Sequence, residues 1–175
     1  AGRRKSPGIV TIRKIVDAFL DIDEKTGGGV LKQYSLAAKT ECIISIKEFA
    51  HEVLADELVE RISGENLTPT VSLDKHIHGF TVIDSIRAIT TLNSFDYLKI
   101  YGWSSQRALV FTGVKFGRSP MIAIRAHPLK PAIVVYQKPD QVDELAIRLA
   151  ELEGLPLIKT GLPAGELVEI LNSLG

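Results

Sequence analysis

The C-terminal third of the chain carries the pattern that most restricts its fold. Two short runs, "AIVVY" at residues 132–136 and "LPLIKTG" at 155–161, are apolar on both faces of a strand. The segments that follow them, "PDQVDELAIRLAELEG" and "PAGELVEILNSL", repeat apolar residues at helical spacing. Strands that are apolar on both faces lie inside a covered sheet, and strand–helix–strand connections join parallel strands. The sequence therefore predicts a C-terminal βαβα unit.

The N-terminal part is predicted to be helical or mixed. Apolar residues recur at helical spacing between Ile12 and Leu20, and "TGGG" at 26–29 ends this first helix. The segment "VLKQYSLAAKTECIISI", at 30–46, fits two short strands. It also fits the second helix of a helix-turn-helix, with Ser45 starting the third helix. The sequence therefore leaves both structures, two strands or a helix-turn-helix, open for this segment.

A long acidic helix is predicted next, because the apolar residues of "SIKEFAHEVLADELVERIS" fall on one stripe. The loop that follows, "SGENLTPT", indicates a domain boundary. We therefore predict a mixed helical region at residues 1–66, with a helix-turn-helix at 30–62 as one interpretation, and an α/β domain at 67–175. The predicted fold class is α+β or α/β.

Residues 97–139 contain no Asp or Glu, although the whole chain has a formal net charge of +0. Side chains of opposite character alternate within this stretch, which predicts strands over 97–103, 107–116 and 121–127. Short turns between them predict an antiparallel meander. Such a meander would carry basic and aromatic side chains on one face.

This cationic and aromatic face is the first candidate site. Rings stack on bases and cations pair with phosphates, so the pattern is typical of a surface that binds nucleic acid or a nucleotide-like ligand. The candidate residues are Lys99, Tyr101, Trp103, Arg107, Lys115, Arg118 and Arg125. The alternative is that these charges pair with acidic helices at 48–60 and 140–153.

Two glycine-containing loops are further candidates for binding an anion. In "GVKFGRSP", at 113–120, backbone N–H groups would lie beside Lys115, Arg118 and Ser119. In "KTGLPAGE", Thr160 and Gly161 lie between the end of a predicted parallel strand and the start of a helix. Open α/β sheets bind anions at that position.

The histidines support an alternative function. His76 and His78, in "HIHG", would lie on one side of an extended segment, as two ligands of a metal site do. In this alternative, a small cytosolic enzyme acts on a phosphorylated or carboxylated metabolite. Arg118 and Arg125 would hold the anion, and His76, His78 or His127 would be the acid–base. The main hypothesis is a non-enzymatic regulatory binding protein with no cofactor and no metal.

The predicted order of a helix, three strands, a helix and a strand, with Asp96 ahead of the sheet, resembles the core of the restriction-endonuclease-like nucleases over about residues 82–160. Such a nuclease carries Glu/Asp-x-Lys on its second or third strand to hold Mg²⁺. The corresponding segments here, "TGVK" and "AIRA", have no carboxylate. An active nuclease of that kind is therefore not expected, whereas a catalytically silent relative that binds nucleic acid is compatible with the resemblance. The ending "LAELEGLPLIKTG" also resembles small regulatory α/β ligand domains.

Composition indicates the compartment and the source. No stretch approaches the roughly 18 apolar residues of a membrane helix, and the start "AGRRKSPG" lacks the apolar core of a signal peptide. We therefore expect a cytoplasmic protein that does not contact a membrane, with a homodimer as a candidate assembly. The chain has only three Asn, four Gln, one Cys and one Met, a balance that favours a thermophilic host.

Overall fold

The computed structural model describes residues 8–25, 41–92 and 96–175, and the chain divides into two compact units, residues 1–39 and 40–175. In the first unit, helix α1 (Ile9–Lys25) confirms the predicted first helix. Residues 26–40 include the predicted "TGGG" stop and most of the segment with two interpretations, and they lie outside the described residues. None of the described helices is long and apolar enough to cross a membrane.

The second unit is built from strands and short helices in alternation. Its strands are β1 (Ile43–Leu54), β2 (Glu65–Asn66), β3 (His76–Asp84), β4 (Ala108–Thr112), β5 (Ile133–Gln137) and β6 (Leu157–Thr160). Its helices are α2 (Ala55–Arg61), α3 (Ser85–Thr91), the 3₁₀ helix η1 (Asp96–Tyr101), α4 (Arg118–Ala126), α5 (Glu144–Leu152) and α6 (Ala164–Ser173).

The strands form one sheet in the order β1-β3-β4-β5-β6-β2. Strands β3 to β6 are parallel, whereas β1 and β2 pair antiparallel at the two edges. The edge strands precede residue 67 in the chain and nevertheless belong to the same sheet as β3. Successive elements β5, α5, β6 and α6 confirm the predicted βαβα unit, and the mixed α/β fold class is confirmed.

Helices cover both faces of this sheet. Along β4, Val110 belongs to a buried core that includes Leu58 of α2 and Leu167 of α6. Leu109, the residue before Val110 in β4, points to the other face of the sheet. It belongs to a second core that includes Met121 of α4 and residues of η1 and α5. The unit therefore has three layers, with the sheet in the middle.

The predicted antiparallel meander is wrong. Only its second strand is present, as β4, and β4 runs parallel to both of its neighbours. The first predicted strand contains η1, and α4 occupies most of the third. In α4, Met121 and Ile124 are buried at a spacing of three, and Pro120 lies in the first turn, where a helix tolerates proline. Because two of the three strands are absent, the resemblance to the nuclease core has no counterpart in the fold.

The predicted acidic helix at residues 45–63 is wrong over more than half of its length. Residues 43–54 form β1, which pairs with β3, and only residues 55–61 are helical. The β-branched run "IISI" favours a strand, and pairing with β3 overrides the helical spacing of the apolar residues. The third helix of the helix-turn-helix interpretation, which was to start at Ser45, is therefore wrong.

Candidate ligand-binding site

A cavity of about 310 Å³ lies between α3, η1 and α4. Its wall includes Ile83 and Phe111, near the carboxyl ends of the parallel strands β3 and β4. The rest of the apolar wall consists of Ala88, Ile89, Leu92, Ile100, Pro120, Ala123 and Ala126. Small-molecule sites are mostly apolar and of this size, and open α/β sheets bind ligands at the carboxyl ends of their strands. The cavity is therefore the strongest candidate site in the described part of the chain.

Polar side chains stand at both ends of this apolar wall. Ser85 and Ser119 follow β3 and β4 along the chain, and Tyr97 and His127 complete the lining. Ser119 lies in the first turn of α4 and His127 directly after its last, a separation of about 12 Å along a helix axis. The cavity thus fits an elongated ligand with an apolar body and a polar group at each end.

The amino end of α4 forms one of these polar ends. The helix begins after Gly117, which has a φ of 77° and has no side chain with which to cap the first N–H groups. Such an end attracts anions through its free N–H groups and the helix dipole. The loop before it is attached to β5, because the Tyr136 hydroxyl donates to the Gly117 carbonyl over 2.7 Å.

Aromatic rings form the opposite end. The His127 ring lies 4.8 Å from the Tyr97 ring and 5.9 Å from the Tyr101 ring, between centroids. Burial raises the pKa of both Tyr97 and Tyr101, so both phenols stay protonated at neutral pH. The Tyr101 hydroxyl donates to the Leu129 carbonyl, whereas the buried Tyr97 hydroxyl has no hydrogen-bond partner among the residues described.

The predicted cationic residues do not share a face. Arg107 is fully buried and pairs with Glu48, and Arg118 pairs with Asp143 at the start of α5. Glu153, after α5, binds both Arg125 and Lys130. Four cations of the acid-free stretch therefore pair with the acidic segments, as the alternative interpretation expected. Arg107 in particular has no surface with which to meet a ligand.

The other predicted ligand residues are scattered over the unit. Lys99 and Trp103 are exposed, Tyr101 is buried, and Lys115 is exposed in the loop between β4 and α4. The buried Thr160 hydroxyl donates to the Ile62 carbonyl over 2.7 Å and accepts from the Leu162 N–H, and Gly161 beside it is exposed. Among the residues proposed from sequence, Ser119 and His127 line the cavity.

The histidine pair has other surroundings. The Nδ1 atom of His76 lies 3.3 Å from the Glu52 carboxylate. His78 lines a shallow groove beside Glu48 and Trp103. Within residues 8–25, 41–92 and 96–175, no three His, Cys, Asp or Glu side chains are grouped so that they could hold a metal ion. The described residues therefore provide no third ligand for a metal ion bound by His76 and His78.

Sequence reasoning missed Ser85 and the apolar wall of the cavity. A signal for the helix α4, which carries part of that wall, was present in "RSPMIAIRA", where buried residues recur every three or four positions. No local sequence pattern indicates which helices enclose a cavity, because the packing of these helices depends on the order of strands that are distant in the chain.

Two archaeal proteins resemble this chain over nearly its whole length. An uncharacterized HTH-type transcriptional regulator of Methanocaldococcus jannaschii is 41% identical over 179 residues, which cover 99% of this chain and 74% of the relative. A second uncharacterized HTH-type transcriptional regulator, of Archaeoglobus fulgidus, is 43% identical over 176 residues, which cover 98% of this chain and 75% of the relative. No protein-family model matches the chain.

Among solved structures, a similarity at low level is found to the CBS and DRTGG domains of the regulatory region of Clostridium perfringens pyrophosphatase, complexed with the activator diadenosine tetraphosphate. The match covers 69% of this chain and 50% of that one, with a TM-score of 0.45 and 13% identity. A similarity of this size supports no conclusion about ligands.

Proposed function

Because the chain belongs to the family of these HTH-type transcriptional regulators, we propose that its α/β unit is the effector-binding part of a regulator. The effector is a small phosphate-bearing molecule with an aromatic, nucleotide-like ring. It binds in the cavity between α3, η1 and α4, and the cavity is the observation that carries the proposal.

The ring and the phosphate have separate places in this proposal. The ring lies along the apolar wall, at the end of the cavity that Tyr97 and His127 line. The phosphate lies at the uncapped amino end of α4, near the Ser119 hydroxyl. Lys115 and Arg118 flank that end in sequence, although Arg118 is shared with Asp143.

A small ligand is favoured over nucleic acid by the layering of the unit. Binding of nucleic acid, as predicted from the sequence, needs an exposed sheet face on which bases can stack. Both faces of this sheet are covered by helices, so the strands offer no such surface. The side chains of Arg107, Arg118 and Arg125 are also engaged by carboxylates.

No specific observation favours the enzyme alternative. It needed a histidine and the anion-holding arginines in one pocket. His127 lines the cavity, but Arg118 and Arg125 do not.

The test uses the full chain and 1-naphthyl phosphate, which carries a bicyclic ring and a phosphate. Binding is measured by calorimetry and by the shift of the thermal midpoint. Ala123→Phe places a ring in the cavity and is expected to weaken binding at least about tenfold. The matched control is Ile122→Phe, at an exposed neighbour outside the lining, which should leave the affinity within about twofold.

Short single-stranded DNA and RNA are titrated in parallel, with fluorescence of the exposed Trp103 as a second readout. Saturable binding of 1-naphthyl phosphate that Ala123→Phe removes supports the proposal. Binding that survives Ala123→Phe, or tight binding of oligonucleotides with no binding of the phosphate probe, overturns it.

A further inference from the structure

The hydrogen bonds of His127 define its tautomer. The backbone N–H of Leu129 donates to Nδ1 of His127 over 3.1 Å. The same Nδ1 atom lies 3.5 Å from the Leu129 carbonyl oxygen, a longer contact that would need a proton on Nδ1. Because a peptide N–H can only donate and its contact is the shorter of the two, we assign Nδ1 as the unprotonated nitrogen of the ring. The proton of the neutral imidazole is therefore on Nε2.

The ring is held in this orientation from several sides. The Tyr101 hydroxyl donates to the carbonyl of Leu129 over 2.9 Å, so both backbone groups of that residue are engaged in the same turn. The Tyr101 ring is stacked on His127 at an interplanar angle of 27°, and the Tyr97 ring lies against it at 39°. A flipped imidazole would lose the bond to Leu129.

The Nε2–H group has no acceptor among the residues that the structure describes. His127 nevertheless lines a cavity whose wall includes the apolar side chains of Leu92, Ile100 and Ala126. A ligand that fills the cavity removes water from this end. A donor that loses water without gaining an acceptor weakens binding, whereas a ligand with an acceptor at that place compensates for the loss.

We infer that His127 determines ligand specificity: its Nε2–H donates to a hydrogen-bond acceptor, a ring nitrogen or a carbonyl oxygen, on the ring of the bound molecule. The cavity then selects heteroaromatic phosphates over hydrocarbon-ring phosphates of the same size. This inference rests on the proposed function, since it concerns the ligand of the same cavity.

The experiment compares ligands that differ by one ring atom. The probes are 1-naphthyl phosphate and two analogues with one ring nitrogen, 5-quinolinyl and 5-isoquinolinyl phosphate. The full chain should bind the better of the two nitrogen-containing probes about tenfold more tightly than 1-naphthyl phosphate.

Two substitutions separate the two nitrogens of the imidazole. His127→Asn retains an acceptor near the Nδ1 position and removes both the ring and the donor at Nε2, so it should weaken binding of all three probes and also erase the preference for a ring nitrogen. His127→Gln brings an amide N–H close to the Nε2 position, so it should retain part of the preference. A purely structural role of His127 would weaken binding of all three probes by the same factor and so leave the preference intact.

The outcomes distinguish this inference from the proposed function. If the wild-type chain binds all three probes equally, or if His127→Asn keeps the preference, the specificity role is overturned and the cavity remains the ligand site. If none of the three probes binds, the proposed function fails, and the inference fails with it.

Discussion

The guanidinium of Arg107 is fully buried and donates a hydrogen bond of 2.5 Å to the carboxylate of Glu48. The same carboxylate oxygen accepts the backbone N–H of Trp103 over 3.0 Å. The network is closely enclosed, because a Cβ atom at Gly102 would lie 2.1 Å from the Arg107 guanidinium. Burial lowers the pKa of Arg107, and the Glu48 carboxylate opposes this effect. The pair attaches the edge strand β1 to the loop that precedes β4.

Glu48→Ala should destabilise the protein by about 3 kcal/mol, because it leaves a buried guanidinium without a counter-charge. The free energy of unfolding is measured by urea denaturation, with Trp103 fluorescence and circular dichroism as probes. The control is Glu52→Ala, which removes an exposed carboxylate beside His76 and should cost less than about 1 kcal/mol. Equal costs for the two variants would contradict a structural role for the Arg107–Glu48 pair.

Gly117→Ala should cost about 2 kcal/mol or more and disturb the start of α4. The residue has a φ of 77°, and its Cβ atom would lie 2.3 Å from the Tyr136 ring. Gly161→Ala is the matched control, since no atom lies within 4 Å of its added Cβ and its φ is outside the left-handed region. Thermal unfolding of both variants tests this prediction, which fails if Gly117→Ala is as stable as Gly161→Ala.

The buried tyrosines should make the protein sensitive to alkali. Burial raises the pKa of Tyr97, Tyr101 and Tyr136 above the value of an exposed phenol. Above about pH 10 the unfolded chain therefore releases phenolic protons that the folded chain retains, and the free energy of unfolding falls as the pH rises. For each buried tyrosine, the free energy of unfolding falls by at most about 1.4 kcal/mol per pH unit.

Tyrosinate absorbance and circular dichroism, recorded in one alkaline titration, check this expectation. The three phenols should ionise together with the loss of secondary structure. Their ionisation near pH 10 in a chain that is still folded would contradict it. The same titration in urea gives the unfolded reference.

Lys115→Ala should weaken binding of 1-naphthyl phosphate about threefold at low salt and less at high salt, because an exposed cation acts on the phosphate through a screened potential. Lys138→Ala removes an exposed cation from the neighbouring loop between β5 and α5 and should have a smaller effect. Calorimetric titrations at two salt concentrations make the comparison. A larger effect of Lys138→Ala would place the phosphate away from the amino end of α4.

Local patterns were sufficient for the C-terminal unit. Strands β5 and β6 are buried on both faces, and α5 and α6 bury one stripe each, so burial repeats with the period of each element. Helix α1 was predicted for the same reason. Where the apolar spacing fitted two elements, the prediction failed: β1 has a helix-like stripe, and its pairing with β3 across about thirty residues decided its conformation.

The sequence by itself determined that a basic stretch without acidic residues lies between two acidic segments of the chain and runs into the first strand of a βαβα unit. Tertiary structure alone decided what those charges do, because the partner of a charge is set by distance in space and not by distance along the chain. Arg107 and Glu48 are 59 residues apart and in direct contact. The cavity is also a product of tertiary structure, because α3, η1 and α4 enclose it only when β3 and β4 are neighbours in the sheet.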